Sequence, residues 1–419
     1  MKLVQAKQKQ KNLENLGQEE NYCLTADYYP GVDDEIFDLI KEIYKPDFVI
    51  KSEDVFYEKD ELNKMMKPFL TEDRVRGVMY YGKMDDFIDD IKLVQYQSLA
   101  SHKGRVLIYG VGASYIHKGD TLIYCDLACW EIQLRYRKGM PNFKQDNDDE
   151  DVLKKIKRGF FIEWRIADKH KMDNFENIDY FLDSNQEGNP KIVTGNALRS
   201  ALKKTTQRPF RLVPYFDPGV WGGQWMKKNC GLDEKQKNYA WSFDGVLEEN
   251  SLYFRFGDTR IEIAAMDLVL YQPVELLGMK NYCRFGAEFP IRFDFLDTID
   301  GENLSLQVHP LTEYIKSHFG MTYTQDESYC ILDCKDDGGV YLGLKEGIDK
   351  NQMLTDLRCA QEGHISFNAE KYVNKFHAKK HDHFLIPAET FIVPANVKEY
   401  TIKPLNDETI KVIKAYVRN

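Results

Sequence analysis

Three side chains late in the chain are of types that hold metal ions: Gln307, His309 and Glu327. The first two stand in Leu304–Pro310, which reads LSLQVHP. Side chains alternate faces along a strand. On a strand, Leu304, Leu306 and Val308 point one way, and Ser305, Gln307 and His309 the other. An amide and an imidazole then sit side by side, opposite an apolar layer. Histidine nitrogen suits zinc and similar ions. A polar face turned to water has the same pattern. Glu327 stands where the apolar run of Gln325–Asp333 (QDESYCILD) begins. A lone carboxylate there is usually a solvated strand end. It becomes a ligand if it converges on Gln307 and His309.

Such a trio needs a rigid support, and the second half is patterned to provide one. From about residue 206 the chain carries short aromatic segments separated by Gly, Pro and Asp. They are Leu252–Phe256, Glu262–Ala265, Phe289–Leu296, Leu304–Val308, Ser328–Leu332, His364–Phe367 and His383–Ile386. Many short strands at close spacing predict a sandwich or barrel. The first half reads differently. Asp33–Tyr44 has apolar residues at helical spacing behind an acidic start. Tyr80–Ala100 and Ala128–Arg137 read as helices, while Gly104–Gly112 and Thr121–Asp126 read as strands. The alternation predicts an α/β domain with a parallel sheet. Arg158–Ala167 (RGFFIEWRIA) is apolar enough for a strand or the core of that unit, and Asn142–Asp151 reads as a charged loop. The first ~20 residues read as a frayed polar helix.

Composition sets outer limits. A chain of 419 residues suggests about two or three domains; we place the division at 1–205 and 206–419. With 43% hydrophobic and 30% charged residues, it can bury a core. A formal net charge of −10 gives no electrostatic reason to expect nucleic acid or an anionic membrane as partner. The basic run Lys154–Arg158 reads as a solvated helix face, and His170, beside lysines, as an exposed histidine. The N-terminus lacks the apolar core of a signal peptide, and no run approaches the ~18 apolar residues of a membrane span. Eight cysteines without a C-x-x-C pair fit free thiols in a reducing cytoplasm.

Four segments occur in the order found in type-I mannose-6-phosphate isomerases: Asp217–Trp225 (DPGVWGGQW), LSLQVHP, the DESYCILD run, and Lys379–Thr390 (KKHDHFLIPAET). The chain over about 206–395 resembles that family. The resemblance implies a cupin, or jelly-roll, barrel holding zinc or another divalent metal. It implies Gln307, His309 and Glu327 as three of the ligands. It implies interconversion of mannose 6-phosphate and fructose 6-phosphate, an aldose–ketose isomerisation, with a small phosphorylated sugar as partner. The family's fourth ligand, a histidine, falls on Ile392 here, and an apolar side chain binds no metal. His381 and His383 lie two apart just upstream, on one face of a strand, so one of them, His383 as the candidate, could replace the missing ligand; otherwise both are surface histidines. The family's further β-domain, with its substrate arginine, has no counterpart in the sequence. The general base is not identified.

In the first half, Asp54–Tyr57, Leu70–Gly77 and Gly104–Arg137 resemble the middle of uridine-kinase-like P-loop proteins. The phosphate-cradling G-x-x-x-x-G-K-[ST] is absent from the chain. The resemblance implies a degenerate kinase-like scaffold. Packing on the barrel, homo-oligomerisation, or anion binding through Arg135 and Arg137 are its open roles; ion pairing of those arginines with Glu131 is the plainer alternative. A non-catalytic sugar-phosphate- or metal-binding cupin, and a purely structural protein, remain alternatives to an isomerase.

Overall fold

A computed structural model describes residues 20–307, 309–324, 327, 329–380 and 382. The frayed-helix expectation for the N-terminus and the His381–His383 pair fall outside the described residues. The centre of the first half is a six-stranded sheet in the order β2-β3-β1-β4-β5-β6. Its strands are β1 (Tyr22–Tyr28), β2 (Phe48–Lys51), β3 (Arg105–Val111), β4 (Thr121–Asp126), β5 (Tyr180–Asp183) and β6 (Lys191–Thr194). All pairings are parallel except β5 with β6. Every residue of β4 is buried. Strands covered on both faces read as continuous apolar runs, and TLIYCD and RVLIYGV fit that rule.

The helix Asp34–Tyr44 buries Ile36, Ile40 and Tyr44. Asp33 caps it by accepting from the Glu35 amide, and Lys45 ends it in the left-handed region at φ 50°. Of the expected helix over 80–100, only Asp90–Ala100 forms, capped by Asp89, after a 3₁₀ turn at Met84–Phe87. The apolar run after Arg158 is helical. Gly159–Glu163 is a π-helical turn leading into the helix Trp164–Asn174. Periodicity does not separate a buried strand from a helix buried on most sides. Lys155, Lys157 and Arg158 are buried rather than solvated. Lys155 donates to the Met140 and Asp148 carbonyls, and Arg158 pairs with buried Glu163 at 2.6 Å. The 142–151 segment is a loop, and buried Asn142 anchors it by donating to Glu163 at 3.1 Å.

The second half contains three small antiparallel sheets among the described residues. β7 (Tyr215–Asp217), β8 (Trp241–Phe243) and β11 (Asp294–Leu296) pair in the order β11-β8-β7. β9 (Ser251–Phe256) and β10 (Thr259–Ala264) form a hairpin, and β12 (Gly339–Leu344) pairs with β13 (Val373–His377). These sheets do not close into a barrel among the described residues. The segments expected as strands at 304–307, 329–332 and 364–367 are irregular there. A short aromatic segment becomes a strand only where a partner satisfies its backbone.

The apolar core does not stop at residue 205. Leu24, Ile123 and Phe181 of the sheet belong to the same cluster as Leu252, Ile261, Ile263, Leu268 and Val269. Polar contacts pin the β9–β10 hairpin at this junction. Asp183 accepts from the Glu262 amide at 2.8 Å, and Asn185 donates to the Glu262 carbonyl at 3.0 Å. Trp130 and Ser251 both donate to the Glu262 carboxylate, at 3.1 and 2.5 Å. By contrast, the helices Thr312–Phe319 and Lys350–Gln361 bury no residue. Among the described residues, no helix is long and apolar enough to cross a membrane.

Candidate functional site

His309 and Glu327 meet although no strand carries either one. His309 Nε2 lies 2.6 Å from Glu327 Oε2, and each side chain is about one-third exposed, 33% and 27%. The Tyr329 hydroxyl bonds Glu327; burial first, and then this bond, push the phenol up to about 12. Asp294, on β11, senses the same carboxylate. Burial and then Glu327 raise its carboxyl above the usual range, while Arg292 opposes them. Gln307 is exposed, and its amide donates to Ser305 Oγ at 2.8 Å. That bond turns it along its own segment. The structure thus brings two of the sequence candidates together, leaves Gln307 beside Ser305, and does not describe His383. No cluster of three or more His, Cys, Asp or Glu side chains suited to a metal occurs among the described residues.

A second concentration of chemistry lies at the carboxyl ends of the parallel strands, where open α/β sheets place ligands. Asp27 is the penultimate residue of β1 and is fully buried. Its carboxylate accepts from the Gly112 and Ser114 amides, both at 3.0 Å, from Ser114 Oγ at 2.5 Å, and contacts His170 Nε2 at 2.7 Å. Burial opposes ionisation of Asp27, but His170 and Ser114 outweigh it and hold the carboxyl below its usual range. His170 is 4% exposed, not the surface histidine expected, and stacks on Tyr115 at 4.7 Å. Ser114, His170 and Asp27 converge on one carboxylate oxygen rather than forming a relay through both imidazole nitrogens.

Beside them, Lys171 Nζ lies 2.6 Å from Asp126 Oδ1 and 2.8 Å from Asp267 Oδ1. All three side chains are at most 1% exposed. The ammonium also faces the Tyr29 ring at 4.4 Å. This cluster is not legible in the sequence because Asp126 and Asp267 stand 141 positions apart and meet only through the fold. The one available signal was local, since β1, β4 and β5 each carry an aspartate at or next to the end of an apolar run: Asp27, Asp126 and Asp183.

The arginines considered for anion binding are engaged within the chain. Arg135 pairs with Glu131 at 3.0 Å and donates to the Gly31 and Ser184 carbonyls. Arg137 reaches across to Asp217 of the second half. All eight cysteines are free. The segment after β1 offers no phosphate cradle: the helix that follows opens on Asp33, Asp34 and Glu35, which repel an anion.

Residues 4–207 match a family model described as a domain of unknown function (DUF8485). Two further comparisons reach mannose-6-phosphate isomerases. The chain is 27% identical over 137 residues to the probable mannose-6-phosphate isomerase GmuF of Bacillus subtilis (strain 168), covering 32% of this chain. It therefore spans 41% of the length of that curated relative. The crystal structure of the mannose 6-phosphate isomerase from Bacillus subtilis aligns over 45% of this chain and 53% of that one, at 20% identity and a TM-score of 0.33. Neither comparison carries the kinase-like resemblance of the first half.

Proposed function

We propose that the second half is a sugar-phosphate isomerase module of the mannose-6-phosphate isomerase type, with a divalent metal, zinc by preference, held at His309 and Glu327. The observation that carries this reading is the 2.6 Å approach of those two side chains within a chain distantly similar to such an isomerase. One imidazole and one carboxylate are a donor set suited to catalytic zinc, which takes three protein ligands and keeps a position open. Gln307 or His383 supplies the third ligand in this proposal. His309 and Glu327 are now in direct contact and would part slightly to receive an ion.

A bound zinc would polarise the substrate's carbonyl oxygen and stabilise negative charge during proton transfer between C1 and C2. The chain's own part is positional. Tyr329 holds Glu327 through its hydroxyl, and the one-third exposure of the pair leaves it open to a small phosphorylated sugar. A cytoplasmic location fits the free cysteines and belongs to the same proposal.

The test is metal analysis of the purified chain together with an assay of mannose 6-phosphate to fructose 6-phosphate turnover. About one zinc per chain, and turnover abolished by a chelator, are expected. Bound metal without turnover would replace this reading with the non-catalytic metal-binding cupin. Absence of metal after zinc loading, in wild type and His309→Ala alike, would remove both.

A further inference from the structure

Asp126, Lys171 and Asp267 join the two halves. Asp126 ends β4, and Lys171 stands on the helix Trp164–Asn174; both belong to the first half. Asp267 stands on the helix Met266–Tyr271, which follows the β9–β10 hairpin and is buried over residues 266–270. Two carboxyls therefore share one ammonium in a site closed to solvent. Lys171 Nζ approaches only one oxygen of each. Both Asp126 oxygens and Asp267 Oδ2 are buried without a well-aligned hydrogen-bond donor.

An ionised carboxylate only accepts, whereas a protonated one also donates. Buried polar atoms without partners cost ~1–3 kcal/mol each, and more when charged. A single proton between the two carboxyls provides a donor where Asp126 and the second oxygen of Asp267 lack one. We infer that Asp126, Lys171 and Asp267 form a proton-gated latch, by which the first half holds the helix Met266–Tyr271 closed with one shared proton and releases it as the solution turns alkaline.

The surroundings favour this state. Burial, and then Asp126, push Asp267 well above the ordinary carboxylate range. Burial opposes the charge on Lys171, but Asp126, Asp267 and Asp168 overcome it, so the amine stays protonated throughout. The other groups facing the cluster are known. From the same helix come Asp168, which accepts from Tyr29 at 2.9 Å, Arg165, and His170, which faces Asp27. From the sheet come Asp27 and Tyr124. The helix Met266–Tyr271 contributes only Asp267 as a titratable acid or base near the ammonium, apart from its terminal Tyr271, which bonds Glu176 at 2.9 Å.

The sign follows from proton linkage. The closed state keeps a proton that an exposed aspartate releases, so closure is complete at acid pH and is lost as pH rises toward the raised value. Release of one proton on opening makes the opening constant rise tenfold per pH unit. The experiment is amide hydrogen exchange by mass spectrometry on the full chain, from pH 6 to 9, corrected for intrinsic exchange. Peptides spanning 251–271 report the latch, and β3 is the internal reference. Wild type is expected to show the tenfold rise in 251–271 but not in β3. Asp267→Asn keeps a donor for Asp126 and removes the titrating proton, so its profile is expected to be flat. A flat wild-type profile overturns the inference whether or not the variant folds. A slope that survives in Asp267→Asn assigns the titration to another group, such as His170, and also overturns it.

Discussion

Arg137 grips Asp217 with two parallel bonds, Nη1 to Oδ1 at 2.9 Å and Nη2 to Oδ2 at 2.8 Å. Arg137 also donates to the Tyr215 hydroxyl at 3.1 Å. The planar fork matches a carboxylate in a way that a lysine cannot. Its side chain is 36% exposed, so water screens part of the attraction. Arg137→Ala is expected to lower stability by about 1–2 kcal/mol, with Arg137→Lys recovering less than half of the loss. Urea unfolding of the full chain measures both.

Lys171 predicts a larger effect. Replacing it by methionine keeps most of the volume but leaves Asp126 and Asp267 facing each other without a cation. Removing one partner from a buried ion cluster typically costs ~3–5 kcal/mol. The Lys171→Met chain is expected to lose that much in equilibrium unfolding. A loss below about 1 kcal/mol would mean that the ammonium is not what offsets the carboxylates.

Asp27 predicts acid sensitivity. Its carboxyl is held below the usual range in the folded chain, so its contribution is present above the ordinary carboxylate value. That contribution is lost as pH falls through the depressed value. Melting temperature is expected to fall from pH 5 toward pH 2, and to fall less in Asp27→Asn. An identical acid slope in both proteins would assign the loss to other carboxylates.

Tyr329 predicts a metal effect without being a ligand. Its hydroxyl bonds Glu327, and groups that orient a ligand typically change metal affinity 10–100-fold. Tyr329→Phe is expected to weaken zinc binding by about tenfold, while His309→Ala abolishes it. Zinc titration against a competing chelator measures the difference.

The first half was legible where one physical rule governed. Thr121–Asp126 is a strand because its six residues are buried, and Asp33 begins a helix because its carboxylate accepts the Glu35 amide. β1 was missed because Thr25 and Asp27 interrupt its apolar run. Both are fully buried, and both are satisfied by distant segments, Thr25 by donating to the His117 carbonyl at 2.8 Å. His170 was misjudged for the same reason, since its partner stands 143 positions away. In the second half, the alternation argument for Gln307 and His309 depended on a strand that does not form among the described residues. The convergence of His309 on Glu327 is irregular backbone geometry, which no periodicity encodes.

The docking of the β9–β10 hairpin bears on the order in which the chain becomes folded. Asp183 and Asn185 of the first half bond the Glu262 backbone, and Lys171 receives Asp267. During synthesis, a nascent chain that has just emerged through residue 207 has made its whole sheet but lacks these partners. Lys171 then has Asp126 but not Asp267, Asp183 lacks the Glu262 amide, and the apolar surface that receives Leu268 and Val269 is uncovered. Some 65 further residues must leave the ribosome before that surface closes, which at ~5–20 residues per second is a window of several seconds. That interval is when a chaperone would find this protein.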